Sequence, residues 1–234
     1  MTVSHGVLAV GDSLSTGFGL AVGGLSCWPW AGWLAWGLGE GLLQHAVNGA
    51  TTSQVVADQL PHLQPGARLG CLQLGTNDLG ALDPVLFAEQ VDRVLGAVAD
   101  ASSVVVVATL PAGLRRSAQP WRETVTALEI ANQVVRCAAA ARPVVLVELE
   151  DRLTGPWCWP VDHRHPTAIG QLEAAEVAAQ ALAGKGVALR RPLPASQDVV
   201  PGPDEQRQWR LSPADRAKVV ALRLRRRLRD AVAN

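Results

Sequence analysis

The sequence, 234 residues long, predicts an α/β protein: a three-layer, doubly wound domain built on a five-stranded parallel sheet. Three observations predict it. Five short apolar runs, at residues 7–10, 45–50, 69–74, 104–110 and 144–149, alternate with longer stretches of helical period. The runs are continuous rather than alternating, as in strands covered on both faces. Most are cut off by a glycine, an Asn-Gly pair or a proline, which stop a strand at the sheet edge. Right-handed crossovers leave few topologies for such a chain, and the strand order 2-1-3-4-5 fits.

Each element has its own signal. The first run ends at Gly11-Asp12-Ser13, and residues 17–27 form a glycine-rich loop. Trp28, Trp30, Trp33, Leu34 and Trp36 recur at three- and four-residue spacing, one face of a helix ending near Gly41, with Trp33 and Trp36 as core anchors. The second strand breaks at Asn48-Gly49, and Thr52 or Ser53 is placed to cap the next helix, to about Leu63. The third strand ends in Gly75-Thr76-Asn77-Asp78. Asp83-Pro84 opens a helix to about Ala101, with an acid at the cap and proline in the first turn. The β-branched fourth strand stops at Pro111, a helix follows over 121–141, and after the fifth strand an irregular segment, 151–166, leads into a helix over 167–183.

Charge divides the chain. Residues 1–183 hold 9 Lys and Arg against 16 Asp and Glu, net −7; residues 184–234 hold 12 against 5, net +7. We read 1–183 as the domain and 184–234 as a linker followed by a basic helix. That helix opens with a capping box, Ser212-Pro213-Ala214-Asp215, and carries Val220, Leu224 and Leu228 on one face. It suits docking on the domain with a solvated arginine face; an anionic membrane surface is the sharper alternative, and nothing points to nucleic acid. The N-terminal residues do not resemble a secretion signal, and no apolar run reaches the roughly 18 residues of a membrane helix. Cys27, Cys71, Cys137 and Cys158 have no close CxxC pairing, so free thiols and a cytoplasmic location are expected.

In a parallel sheet the carboxyl ends of the strands converge on one edge, where open α/β sheets bind their ligands. Here that edge collects Gly11-Asp12-Ser13, Asn48-Gly49, Gly75-Thr76-Asn77-Asp78 and the later Asp162-His163-Arg164-His165-Pro166. Together these supply a nucleophile, two candidate oxyanion donors and an acid–base pair, the inventory of a serine hydrolase. Each block also has a structural alternative. Ser13 suits an N-capping turn, Gly49 a turn glycine, Asn77 a loop cap and His165 a helix entry, with His163 as a rival base. Asp12 and Asp78 read as residues that hold the turns by hydrogen bonds to local backbone.

The four blocks resemble those of the SGNH, or GDSL, hydrolase superfamily: Gly-Asp-Ser-Leu after the first strand, a glycine after the second, Gly-x-Asn-Asp after the third and Asp-x-x-His near the end. The likeness covers about residues 5–183. It implies Ser13 as nucleophile, His165 as general base and Asp162 as its orienter. It also implies the backbone N–H groups of Ser13 and Gly49 and the side-chain amide of Asn77 as the oxyanion hole. Neutral imidazole can take the serine proton near neutral pH, and a carboxylate can steady the imidazolium that forms. No metal or other cofactor is implied. The Gly-x-Ser-x-Gly elbow of the α/β-hydrolases is absent.

The expected activity is hydrolysis of a carboxylic ester of a small molecule, lipid or sugar through an acyl-enzyme. An acyltransferase using the same acyl-enzyme, and a non-catalytic binding module with a basic tail, are the alternatives. Leu14, Trp157 and Trp159 are candidate substrate-binding residues, with Phe18, Leu20, Trp28, Trp30 and Leu79 as further apolar candidates.

Overall fold

The structure is a computed structural model that describes residues 6–116, 121–155, 157–160, 164–203 and 205–206. The chain divides into two compact units, Met1–Val199 and Val200–Asn234. The basic helix expected after Ser212 lies outside the described residues.

The first unit contains a five-stranded parallel sheet, β1 (Val7–Gly11), β2 (Leu42–Gln44), β3 (Ala67–Gln73), β4 (Ser102–Ala108) and β5 (Val145–Val147), in the order β2-β1-β3-β4-β5. This is the predicted doubly wound order. Its interior strand β1 is buried along its whole length, as continuous apolar strands between two helical layers must be. Valines and leucines align across the ladder, Val10 beside Leu72 and Leu72 beside Val107.

A single helical turn, α1 (Ser13–Thr16), follows β1, and then come α2 (Trp30–Leu38), α3 (Thr52–Gln54), α4 (Pro84–Ala101), α5 (Trp121–Ala140) and α6 (Ala168–Ala183). α2 packs with α6, and α4 packs with α3 and α5, so both faces of the sheet are covered. Trp30, Leu34 and Leu38 are fully buried on α2, and Trp33 is nearly so. Among the described residues no helix is long and apolar enough to cross a membrane.

Two details differ from the expected elements. β2 is Leu42–Gln44 rather than 45–50, because α2 stops at Leu38 with Gly39 in the left-handed region (φ 70°) and the chain turns into the sheet early. Pairing still continues past β2. His45 and Ala46 N–H both point to Ala9 O, and Val47 N–H donates to Gly11 O at 3.1 Å. The cap of α3 is Thr51, not Thr52 or Ser53: Thr51 and Gln54 exchange side-chain and backbone bonds in a reciprocal capping box. α3 then widens into a π turn, Val55–Gln59, and a short 3-10 turn, Leu60–His62.

After α6 the chain runs on along this unit. Arg190 and Arg191 N–H donate to Gly37 O, the Arg191 guanidinium lies 5.9 Å from the Trp36 ring centroid, and Ser196 bonds Glu176. Residues 184–199, composed like a linker, are thus anchored.

Candidate active site

The site begins where β1 leaves the sheet. Gly11 has φ 132°, and a Cβ there would lie 1.9 Å from Gln73 O, so only glycine allows β1 and β3 to meet this closely before the turn. Gln59, buried in the π turn, closes both polar groups of Gly11: it accepts from Gly11 N–H at 3.0 Å and donates to Gly11 O at 2.8 Å. Asp12 then caps α1, and Ser13 is the first residue of that turn, 3% exposed.

Asp12 reaches further than the local turn. One carboxylate oxygen accepts from Leu14 N–H at 2.9 Å and the other from Thr76 N–H at 3.0 Å, tying the end of β1 to the loop after β3. Asp78 does the same for the loop after β2: it accepts from Thr52 N–H and from the Thr52 hydroxyl at 3.0 Å. Asn77 completes the ties, its side-chain amide donating to Ala50 O at 3.0 Å. Ser13, Gly49 and Asn77 therefore sit on three strand-end loops braced directly against one another.

Gly49 lies between these braces with φ 82°, and a Cβ built on it meets nothing within 4 Å. The left-handed backbone calls for glycine, and its surroundings leave room for a ligand. Asn77 has two amide hydrogens. The bond to Ala50 uses one and fixes the plane of the group, leaving the second as a donor.

His165 enters from the segment before α6 and is half-buried. Its ring meets Phe18 edge to face, with centroids 4.7 Å apart. Thr167 caps α6 two residues later, accepting from Gly170 N–H, and its hydroxyl donates to Trp157 O. Asp162 and the rival base His163 lie outside the described residues.

The structure corrects the expected substrate-binding residues. Leu14 is 1% exposed, and its carbonyl accepts from the Gln171 side chain. Trp159 is buried against Gly113, with its indole N–H on Leu153 O at 2.6 Å. Both are core residues, as are Trp30 and Leu79. Trp157 is half-buried. Phe18, Leu20, Trp28 and Val47 are among the large apolar side chains that face solvent, each 45–53% exposed. A cleft of about 190 Å³ opens beside Asn77, lined by Thr51, Ser53, Leu82, Leu86, Phe87 and Gln90.

Sequence reasoning missed Gln59 and Gln171. Gln171, on α6, accepts from Trp30 N–H and donates to Leu14 O, joining α2 to the nucleophile turn. The only signal for either was a glutamine on an otherwise apolar helical face. The four cysteines are free thiols; Cys158 donates to Glu173 at 2.9 Å, and burial together with that carboxylate holds its pKa far above the usual thiol range.

Burial raises the Asp12 pKa from 3.8 to about 6, against the two backbone N–H donors that favour its charge, with Asp78 adding a smaller push upward. A carboxyl whose pKa is higher folded than unfolded favours the folded state below 3.8 and loses that contribution as pH rises through 6. The difference corresponds to roughly 3 kcal/mol. Wild type should therefore gain about that much over Asp12→Asn, which does not titrate, as pH falls from 7.5 to 4. Urea unfolding of both proteins across that range checks it, and a stability difference independent of pH refutes it.

Comparison with known proteins adds a family. The model for the GDSL-like lipase/acylhydrolase family matches residues 9–172. No curated protein matches in sequence. Among solved structures, the chain is similar to the extracellular lipase from Streptomyces rimosus (24% identity, TM-score 0.56, covering 75% of this chain and 98% of that one). It is also similar to the lipase/acylhydrolase from Enterococcus faecalis (18%, 0.58, 81% and 100%) and to phospholipase A1 from Streptomyces albidoflavus NA297 (22%, 0.56, 76% and 99%). At these identities the structural likeness is one of fold.

Proposed function

The chain belongs to the GDSL-like lipase/acylhydrolase family, and from that premise we propose that it cleaves small carboxylic esters through an acyl-enzyme on Ser13. The family makes it an ester hydrolase; the mechanism and the substrate are our reading. One observation carries it: the loops bearing Ser13, Gly49 and Asn77 are braced together by Asp12–Thr76, Asn77–Ala50 and Asp78–Thr52.

In this reading His165 takes the Ser13 hydroxyl proton as Oγ bonds to the ester carbonyl carbon. The carbonyl electron pair moves onto oxygen, which the N–H groups of Ser13 and Gly49 and the free amide hydrogen of Asn77 stabilise. The C–O bond to the alcohol then breaks, and the alcohol leaves with the proton from the imidazolium. Water repeats the sequence and releases the acid. Asp162, three residues before His165, steadies the imidazolium. A fluorophosphonate probe should label the protein at Ser13 and fail to label folded Ser13→Ala; an unlabelled, folded wild type overturns the reading.

In this reading the cleft lined in part by Asn77, about 190 Å³, receives the acyl or alcohol group, which is then short, since pockets for drug-sized ligands measure roughly 300–1,000 Å³. Acetyl to butyryl esters should therefore exceed octanoyl esters in kcat/KM by about tenfold or more, equivalent to about 1.4 kcal/mol. A flat or rising profile in an acyl-length panel excludes this size limit.

A further inference from the structure

We propose that Phe18 is a positioning residue for His165, holding the imidazole against the nucleophile turn. The proposal rests on the reading of Ser13 and His165 given above. It starts from a junction that the four sequence blocks do not contain. Residues 16–20, from the end of α1 onward, touch the nucleophile turn, the Gly49 loop and the segment carrying His165.

The Thr16 hydroxyl lies within hydrogen-bond distance of Ser13 O, at 3.1 Å, and of the Asn48 side-chain oxygen next to Gly49. The same hydroxyl accepts from Phe18 N–H at 3.1 Å. Two residues on, Leu20 O accepts from Ala168 N–H at 2.9 Å, at the start of α6. Between them Gly19 passes so close to the segment of the base that a Cβ on it would lie 2.1 Å from Pro166 O. The backbone of Phe18 is therefore tied to the nucleophile turn on one side and to the segment carrying His165 on the other.

From that position its ring meets the imidazole edge to face, with centroids 4.7 Å apart and planes at 78°. This is the preferred geometry of an aromatic pair, and it narrows the rotation of a histidine that is only half-buried. Phe18 itself is 52% exposed. A half-exposed phenylalanine contributes little to a core, so contact with the base accounts for its place better than packing does.

The test uses the full chain with Phe18→Leu and Phe18→Tyr. Leucine keeps an apolar side chain but removes the ring, and tyrosine restores it. With an acetyl ester, Phe18→Leu should lower kcat about tenfold, as misplacement of a catalytic group does, with KM changed less than about twofold. Labelling by a small fluorophosphonate should slow in parallel, and Phe18→Tyr should recover both rates. In NMR spectra of Ser13→Ala, the imidazole carbon-bound protons of His165 should carry a ring-current shift that the added Phe18→Leu removes and Phe18→Tyr keeps. Wild-type kcat and labelling in Phe18→Leu overturn the role of Phe18 alone. So does a loss confined to KM that grows with acyl length, which makes the ring a substrate contact only. No labelling of the wild type overturns the Ser13 reading and the role of Phe18 with it.

Discussion

Ser13→Ala should lower kcat by a factor on the order of 10⁶ while leaving the fold intact, the size seen when a serine nucleophile is removed elsewhere. The physical basis is that Cys27, Cys71 and Cys158 do not take its place. Cys27 and Cys71 are held as thiols by burial, with the Cys27 pKa raised to about 11, and Cys158 is bonded to Glu173. The thiolate, not the thiol, is the nucleophile, so none of these cysteines rescues the variant. Folding should survive because Ser13 is the first residue of a one-turn helix whose cap is the side chain of Asp12. Alanine is a good helix former and slightly smaller than serine, so it fits this buried position. Matched thermal unfolding of the two proteins, together with ester turnover, checks both parts. Retained turnover refutes the nucleophile assignment.

Asn77→Ala should have the second-largest effect, about 10²–10³ in kcat with a smaller change in KM, the usual cost of removing one oxyanion donor, roughly 3–4 kcal/mol. One amide hydrogen holds Ala50 O at 3.0 Å, next to Gly49, and in the proposed mechanism the other meets the substrate oxygen. Loss of the first disturbs the Gly49 turn, while Asp78 still holds Thr52 and limits the movement. A drop in kcat with little change in melting temperature fits an oxyanion donor. Unchanged kcat leaves Asn77 as a loop brace.

The fold was largely legible in the chain because its signals are local. Continuous apolar strands, proline and acid at the start of α4, and threonine ahead of α6 each declare their element within a few residues. Misplaced boundaries came from competing local signals. Gly39 and Gly41 both suit a helix end, and the earlier one won. Thr51, Thr52 and Ser53 all suit a cap, and Thr51 won because Gln54 stands at the spacing of a reciprocal capping box.

The site was legible only in part. Gly11-Asp12-Ser13, Gly49, Gly75-Thr76-Asn77-Asp78 and His165 were recognisable as residue types at strand ends, where a parallel sheet collects its loops. The pocket residues were not. Leu14 and Trp159 have the right chemistry for a substrate wall, yet hydrophobicity does not say which way a side chain turns, and packing turned both inward.

By itself, then, the sequence determined which elements form, that the sheet is parallel and which polar residues gather at its edge, since these follow from hydrophobic period, turn chemistry and crossover handedness. Only the tertiary structure decided how those residues are braced. Asp12 grips Thr76, Asn77 grips Ala50, Gln59 closes Gly11, and Phe18 meets His165. Those partners stand far apart in the chain, and only folding brings them within bonding distance.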